Sequence, residues 1–286
     1  MTKRIYSIPY FLWIFLFVIV PLVMLFWQSL FDLNGHFTLA NYILYFTSGT
    51  YLMMTWNSVI YALIITVVTL VISYPAAYVL TKLKMKQFWL MLIILPTWVN
   101  LLLKAYAFIG IFGKYGSVDG FLSFIGLGRP QLLFTDASFI LVASYISIPF
   151  MVLPIFNALN DLDENLVKAG SDLGASKLQT FTQIIWPLSL NGVRAGVQAV
   201  FIPSLSLFML TRLIGGNKVI TLGTAVEEHF LTTQNWGMGS TIAVVLVIAM
   251  LLVMRLTKEK RIHTSSPSKK KWSAKSIKET EETHAK

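Results

Sequence analysis

Charged residues are absent from six long apolar stretches of the chain and are concentrated between those stretches. A bilayer core about 30 Å thick requires roughly 20 apolar residues in a helix. Each stretch has about that length, although the third runs on toward residue 112 and the fifth is short. The pattern therefore predicts six transmembrane helices, over Ile8–Trp27, Val59–Leu80, Phe88–Leu103, Ser138–Leu159, Ala195–Thr211 and Gly237–Met254.

Lys and Arg are divided unequally between the two sets of connecting segments. One set carries eight of them before the C-terminal tail is counted, and the other carries four. Because cytoplasmic loops are enriched in Lys and Arg, the first set is assigned to the cytoplasm. Both termini are then predicted to be cytoplasmic, which an even number of spans also requires.

The composition agrees with an all-α membrane protein. Hydrophobic residues make up 56% of the chain and charged residues 13%, whereas soluble domains carry about 25% charged residues. The net charge of +10 does not indicate a nucleic-acid partner, because segment 255–286 alone contributes ten basic and four acidic residues. That segment is nearly free of apolar residues, and we expect a disordered basic cytoplasmic tail.

The chain lacks the residue patterns of a catalytic site. There is no cysteine, and the four histidines lie outside the apolar stretches without metal-ligand spacing. A phosphate-binding loop is also absent. No Asp or Glu lies within the stretches, which counts against a proton-driven carrier. We therefore expect no metal or cofactor, and if the protein moves a solute uphill, we expect the energy to come from a separate subunit.

The segment between the fourth and fifth stretches, Asp161–Pro187, predicts two short helices joined by a turn. Asp161 is expected to cap the first helix, and Gly174 is expected to end it in a left-handed conformation. Pro187 is expected to break or bend the chain before the fifth span. One apolar face of the first helix is predicted to consist of Leu162, Leu166, Ala169 and Leu173.

The second short helix begins with a capping-box pattern, in which Ser176 is followed three residues later by Gln179. Its apolar side is predicted to consist of Leu178, Phe181, Ile184 and Ile185. Two such faces on the water side must be covered. Either they lie against the cytoplasmic end of the bundle or at the lipid interface, or they dock a soluble partner.

The spacing Lys168-Ala169-Gly170, then Gly174, then Ile184-Ile185-Trp186-Pro187 resembles the E-A-A-x3-G-x9-I-x-L-P signature of ABC-importer permeases. In that family the loop is a pair of coupling helices that inserts into a cleft on a cytoplasmic ATPase. The sequence departs from the signature at Lys168, Gly170 and Trp186. The resemblance implies an ATPase-coupling loop whose main residues are Glu164, Lys168, Ala169, Gly170, Asp172, Gly174, Ala175, Ser176, Phe181, Ile184 and Pro187.

Four further segments resemble the permeases of polyamine importers: Asp172–Phe181, Leu95–Asn100, Pro149–Pro154 and Gly215–Lys218. About residues 8 to 254 are similar to the B-type permease subunits of spermidine/putrescine importers. The resemblance implies a type I ABC importer (MetI-like) fold in a bacterial plasma membrane. It divides the chain into a first helix with its outer loop (1–55), a transmembrane type-1 domain (56–254, coupling loop 161–187) and the tail (255–286).

The same resemblance implies a second, C-type permease subunit, an ATPase homodimer and an extracellular polyamine-binding protein as partners. A path for a polycation should offer carboxylates or aromatic faces. Candidates are Glu227 and Glu228 at the entrance and Trp98, Tyr106, Tyr145 and Phe208 along the path. Membrane aromatics also pack without binding ligands, and Lys104 and Arg212 are expected to point away or pair with the glutamates. A permease for another small solute and a self-sufficient carrier or channel remain alternatives.

Overall fold

The computed structural model describes residues 8–126, 128, 130–216 and 218–257. The tail predicted over 255–286 therefore lies outside the described residues from 258 onward, and its first two residues continue the last helix. Within them the protein is helical, and the one extended pairing is an antiparallel bridge between Phe31 and Phe37. In chain order the helices are α1 Ile8–Gln28, α2 Ala40–Thr47, α3 Gly49–Lys82, α4 Lys86–Trp98, α5 Leu101–Phe112, α6 Ser117–Phe124, α7 Asp136–Asn160, α8 Glu164–Asp172, α9 177–204, α10 Met209–Leu213, α11 222–232 and α12 Trp236–Leu256.

Among the described residues, four helices are long and apolar enough to cross a membrane, namely α1, α3, α7 and α12. They cover the first, second, fourth and sixth predicted stretches. A fifth crossing is present if α4 and the bent segment that follows it are taken together. In the third and fifth predicted spans, the helices begin and end at other residues than predicted.

The third predicted stretch, Phe88–Leu103, is not one helix. Helix α4 ends in a 3₁₀ turn that contains Pro96, and the segment after it, Leu101–Phe124, is bent away by 93°. Proline disfavours continued α-helix, and Asn100 starts the next helix by accepting a hydrogen bond from the Leu102 N–H at 2.8 Å. Two local signals therefore end the helix inside an uninterrupted apolar run.

The fifth predicted stretch, Ala195–Thr211, is also broken. Helix α9 ends at Ser204, directly after Pro203, and α10 begins separately at Met209. The helix also starts earlier than predicted, because Pro187 does not interrupt it. A five-residue π segment, Phe181–Ile185, precedes Pro187. The wider π turn changes the hydrogen-bond register and allows the chain to remain helical through the proline.

The centre of the bundle is formed by α3, α7 and α9, which pack against one another more extensively than any other helices among the described residues. Two glycines on α9 allow close approach to α7. A Cβ atom at Gly192 would lie 2.5 Å from both the Ala158 Cβ and the Pro154 carbonyl oxygen, and one at Gly196 would lie 2.6 Å from the Met151 sulfur. Small residues at four-residue spacing are typical of tightly packed membrane helices. This packing holds α9, and with it the loop before it, against the bundle.

Candidate functional site

The loop between α7 and α9 begins with a helix cap, but the capping residue is Asp163. Its carboxylate accepts a hydrogen bond from the Asn165 N–H at 2.9 Å. The prediction that Asp161 caps α8 is wrong. Asp161 has a helical backbone and donates its N–H to the Asn157 carbonyl, so it ends α7 instead. An N-cap residue requires an extended backbone, which Asp163 has.

The prediction for the end of α8 is confirmed. Gly174 has a φ of +81°, in the left-handed region that glycine adopts without steric cost. Its N–H bonds the Ser171 carbonyl, and the Ala175 N–H bonds the Gly170 carbonyl, each at 3.0 Å. These two bonds form a Schellman motif. The chain direction after α8 is therefore set by backbone hydrogen bonds.

The capping box at the start of α9 is also confirmed. The Gln179 N–H donates to the Ser176 hydroxyl at 3.2 Å, and the Ser176 N–H donates to the Gln179 side-chain oxygen at 2.8 Å. The turn from Leu173 to Ser176 is thus held by defined bonds at both ends. A turn of this kind keeps α8 and the first turn of α9 at a set angle although both lie at the surface.

The apolar side chains of the loop divide between two directions. Leu162, Val167 and Phe181 pack against the core of the bundle, and Ile185 is buried within it. The prediction that Leu162, Leu166, Ala169 and Leu173 form one apolar face is therefore wrong. The inward residues are Leu162 and Val167, whereas Leu166 and Leu173 are exposed. The leucines that point outward are Leu166, Leu173 and Leu178, of which Leu173 is 88% exposed. We call these three the exposed leucines.

The two most conspicuous departures from the permease signature have local explanations. A Cβ atom at Gly170 would meet only the end of the Ile184 side chain, at 2.8 Å, so an alanine there requires a small side-chain shift. Lys168 lies 3.8 Å from the carboxylate of Glu164, one turn earlier on α8. Both groups are exposed, so this ion pair contributes little to stability. The pair places an ammonium group and a carboxylate next to each other on the exposed surface of the loop.

An aromatic cluster, which the sequence pattern did not predict, connects the loop to α3. The Tyr74 ring lies 4.9 Å from that of Trp186 and 5.9 Å from that of Phe181, between centroids, and the Tyr78 ring lies 6.0 Å from Phe181. The Tyr74 hydroxyl also hydrogen-bonds the Ser189 hydroxyl at 2.9 Å. The one available signal was Trp186, the aromatic residue that replaces leucine in the signature. Through this cluster the loop is packed directly against α3.

On the opposite side of the bundle, a cavity of about 330 Å³ contains the two predicted glutamates. We call it the outer cavity. Its walls come from the start of α3, from α10 and from α11 with the segment before it, and its apolar lining includes Met54, Val219 and Ile220. Its polar lining consists of Thr50, Tyr51, Arg212, Thr224, Glu227, Glu228 and His229.

The predicted pairing of Arg212 with a glutamate is confirmed. A guanidinium nitrogen of Arg212 donates to a Glu227 carboxylate oxygen at 2.9 Å. The Glu227 side chain is 14% exposed, whereas that of Arg212 is 51% exposed. The Glu227 side chain is therefore largely enclosed, whereas the Arg212 side chain is half-exposed.

His229, which the sequence analysis left unassigned, lies beside this pair. Its Nε2 is 2.9 Å from the Tyr51 hydroxyl, and its Nδ1 is 3.3 Å from the Thr233 hydroxyl. Burial lowers the pKa of His229 below its ordinary value of 6.5, and the nearby Glu228 carboxylate opposes this effect. With a neutral His229, the charged groups of the outer cavity at pH 7 are Arg212, Glu227 and Glu228.

This lowered pKa predicts a loss of stability in acid. Between the native pKa of His229 and 6.5, the unfolded chain binds more protons than the native protein, so stability falls as the pH falls through that window. We expect the thermal midpoint of the purified protein to drop from pH 7.5 to pH 5, and the His229→Gln variant to drop less. His36→Gln, which removes an exposed histidine, is the control. An unchanged pH dependence in His229→Gln would contradict the prediction.

The four aromatic path candidates are not brought together with the glutamates. Trp98 ends α4, Tyr106 lies on α5, Tyr145 on α7, and Phe208 lies between α9 and α10. None of them lines the outer cavity. Trp98 is 76% exposed, and Tyr145 packs edge-on against Phe108 at 5.2 Å. Their role in a path therefore stays a prediction.

The chain is similar to known transport proteins. Residues 69–258 match the family described as binding-protein-dependent transport system inner membrane component. The chain is 32% identical over 254 residues to the spermidine/putrescine transport system permease protein PotB of Haemophilus influenzae, covering 85% of this chain and 88% of the relative. It is 35% identical over 252 residues to the protein of the same name from Escherichia coli K12, covering 85% and 91%.

A solved structure has the same fold. A chain of a bacterial ABC transporter involved in the import of the acidic polysaccharide alginate superposes with a TM-score of 0.70 at 17% identity, over 89% of this chain and 95% of the other. At that identity the likeness concerns the fold alone. Together with the family match and the two relatives, it confirms the predicted permease fold: the chain belongs to the binding-protein-dependent transport system inner membrane component family.

Proposed function

We propose that this chain is a membrane-spanning permease subunit of an ATP-driven importer for polyamines, with spermidine and putrescine as substrates. The observation that carries the proposal is the 32–35% identity, over 85% of the chain, to permeases named for spermidine/putrescine transport. The cytoplasmic loop and the outer cavity support it from two sides, since one suits an ATPase partner and the other a cationic substrate. Within this proposal the chain is a transporter subunit, and ATP is hydrolysed by another protein.

The proposed topology has six crossings with both termini in the cytoplasm. The four long apolar helices, the bent α4–α5 segment and α9 supply the crossings. Helix α9 carries Arg194 and Gln198, and such polar side chains are unfavourable in a span that faces lipid. It is instead packed into the bundle by Gly192 and Gly196. We retain the division into residues 1–55, a transmembrane domain 56–254 and the tail 255–286.

The loop at 161–187 is proposed to couple the permease to its ATPase. Its turn is held by the Schellman motif and the capping box, so it can transmit a displacement without first rearranging. The exposed leucines offer apolar surface on the water side, where a partner would bury it. The cluster around Tyr74 then joins the loop to α3, so movement of the loop would move a central helix of the bundle.

Further partners are proposed from the fold and the surface. The alginate transporter was solved in complex with an alginate pentasaccharide-bound periplasmic protein, and we propose an extracellular polyamine-binding protein in the corresponding role. None of the most apolar window of α1 is buried within the chain. We propose that α1 is covered by lipid and by a second, C-type permease subunit, and that two copies of the ATPase bind below.

The outer cavity is proposed as the entrance for the substrate. Its carboxylates attract ammonium groups, and its apolar lining, which includes Met54 and Ile220, suits the methylene chain between them. The volume of 330 Å³ lies at the lower end of the range of about 300–1,000 Å³ in which small ligands bind. Trp98, Tyr106, Tyr145 and Phe208 remain the proposed aromatic contacts deeper in the path.

The proposal is tested by reconstituting the chain with its co-purifying partners into liposomes and measuring uptake of labelled spermidine and putrescine. Uptake should require internal ATP and the binding protein, and amino acids and inorganic anions should not be taken up. ATP-driven uptake of another solute class would identify a different importer. Gradient-driven transport by the chain alone would establish a self-sufficient carrier instead.

A further inference from the structure

The ion pair in the outer cavity has an asymmetry that concerns how a substrate would bind. Glu227 is largely enclosed by the wall, whereas the Arg212 side chain is half-exposed and comes from a different element, α10. Its surroundings therefore restrict the Glu227 side chain, whereas the Arg212 side chain is exposed over about half of its surface and can move away from Glu227. In effect, the cavity already contains a cation that belongs to the protein.

The charges of the cavity make this cation relevant to a polyamine. Arg212 neutralises one of the two carboxylates, so the lining carries a net charge of −1 while His229 is neutral. A substrate with two or more ammonium groups gains the undivided negative charge of the second carboxylate only if Arg212 leaves Glu227. An ammonium group can take its place, because both cations donate N–H bonds to a carboxylate oxygen.

We propose that Arg212 is a tethered competitor of the substrate: its guanidinium occupies Glu227 in the empty cavity, and a substrate ammonium group displaces it on binding. This inference rests on the proposed function and specifies the affinity of its entrance site. A competitor within the site weakens binding of the substrate. Weak binding favours onward release, because a site in a conduit must be left as well as entered.

The proposal predicts that removal of Arg212 strengthens substrate binding. Labelled spermidine is bound to the purified complex of both permeases and the ATPase, without the binding protein, so that the permease affinity is measured directly. We expect Arg212→Gln to lower the Kd for spermidine about fivefold, the ratio that corresponds to an ion pair at the upper end of the exposed range. Arg212→Lys, which keeps a competing cation, should stay near the wild-type Kd.

Two controls separate this effect from others. Lys114→Gln removes one positive charge from another outer segment, and Lys114 lines a different cavity, so it should leave the Kd unchanged. Glu227→Gln should weaken spermidine binding, and combining it with Arg212→Gln should abolish the gain. A purely structural role of the ion pair predicts instead that Arg212→Gln binds spermidine more weakly.

Equal affinity in Arg212→Gln and Lys114→Gln, or weaker binding in Arg212→Gln, would overturn the proposal. If the Arg212→Gln complex does not assemble, the Glu227→Gln variant tests the proposal instead. An unchanged Kd for spermidine in that variant would also overturn the proposal. Uptake by the wild-type complex is measured in the same preparations. If the wild-type complex takes up spermidine but the variants have an unaltered Kd, only the tethered-competitor proposal is refuted. If the wild-type complex neither binds nor transports polyamines, the proposed function and this inference are refuted together.

Discussion

Replacement of Gly192 by leucine is expected to prevent correct packing of the bundle. A Cβ atom at this position would already lie 2.5 Å from the Pro154 carbonyl oxygen and from the Ala158 Cβ, and it would lie 3.2 Å from the Ile155 Cα. These atoms belong to the α7 backbone or are fixed to it, so they cannot yield as a flexible side chain would. We expect destabilisation of at least about 3 kcal/mol, the upper end of the usual cost of overpacking.

The measurement is the thermal midpoint of the detergent-purified protein, followed by size-exclusion chromatography after heating. A loss of 3 kcal/mol corresponds to a fall of roughly 5 °C for a protein of 286 residues. Gly110→Leu is the matched control, because nothing lies within 4 Å of a Cβ atom at Gly110 on α5. A midpoint for Gly192→Leu equal to that of Gly110→Leu would show that the α7–α9 contact is not as close as described.

Replacement of Gly174 by valine is expected to uncouple the loop while leaving the bundle folded. Nothing lies within 4 Å of a Cβ atom at Gly174, so the cost arises from the φ of +81°. A left-handed conformation costs an L-residue about 1–2 kcal/mol, and a β-branched side chain is especially unfavourable there. Since 1.4 kcal/mol is a factor of ten in an equilibrium constant, we expect about a tenfold loss of ATPase association and a similar loss of uptake.

Gly174→Asn distinguishes backbone strain from side-chain bulk. Asparagine adopts the left-handed conformation far more readily than other side chains, yet its volume is close to that of valine. We expect Gly174→Asn to retain ATPase association and uptake within about twofold of the wild type. If both variants lose association equally, contact of the side chain with the partner, rather than the Schellman motif, is the cause. Normal uptake in Gly174→Val would refute the proposed coupling role.

Features that depend on a few consecutive residues were predicted well. The left-handed Gly174 and the Ser176–Gln179 capping box are as expected, since both arise from local backbone and side-chain geometry. The cap of α8 was misplaced by two residues, because Asp161 and Asp163 have the same capping chemistry. Only the end of α7 decides between them.

The breaks inside the third and fifth apolar stretches were not predicted, for a different reason. Hydrophobicity shows only that a segment avoids water. A straight span and a segment that bends at Pro96 or ends after Pro203 have the same hydrophobicity pattern, so this pattern cannot distinguish them. A proline inside a span is tolerated when neighbouring groups satisfy the backbone. In α7, two prolines remain within one continuous helix, so proline alone does not locate a break.

By itself, the sequence determined that this is a helical membrane protein, where the loop between α7 and α9 turns and which permease family the chain resembles. These properties follow from composition and short spacing, both of which are local. The tertiary structure decided which loop leucines remain exposed, that Tyr74 joins the loop to α3, and that Arg212 and His229 accompany Glu227 in one cavity. Such contacts join residues far apart in the chain, and they exist only because the close packing of α3, α7 and α9 and the placement of α10 and α11 bring them together.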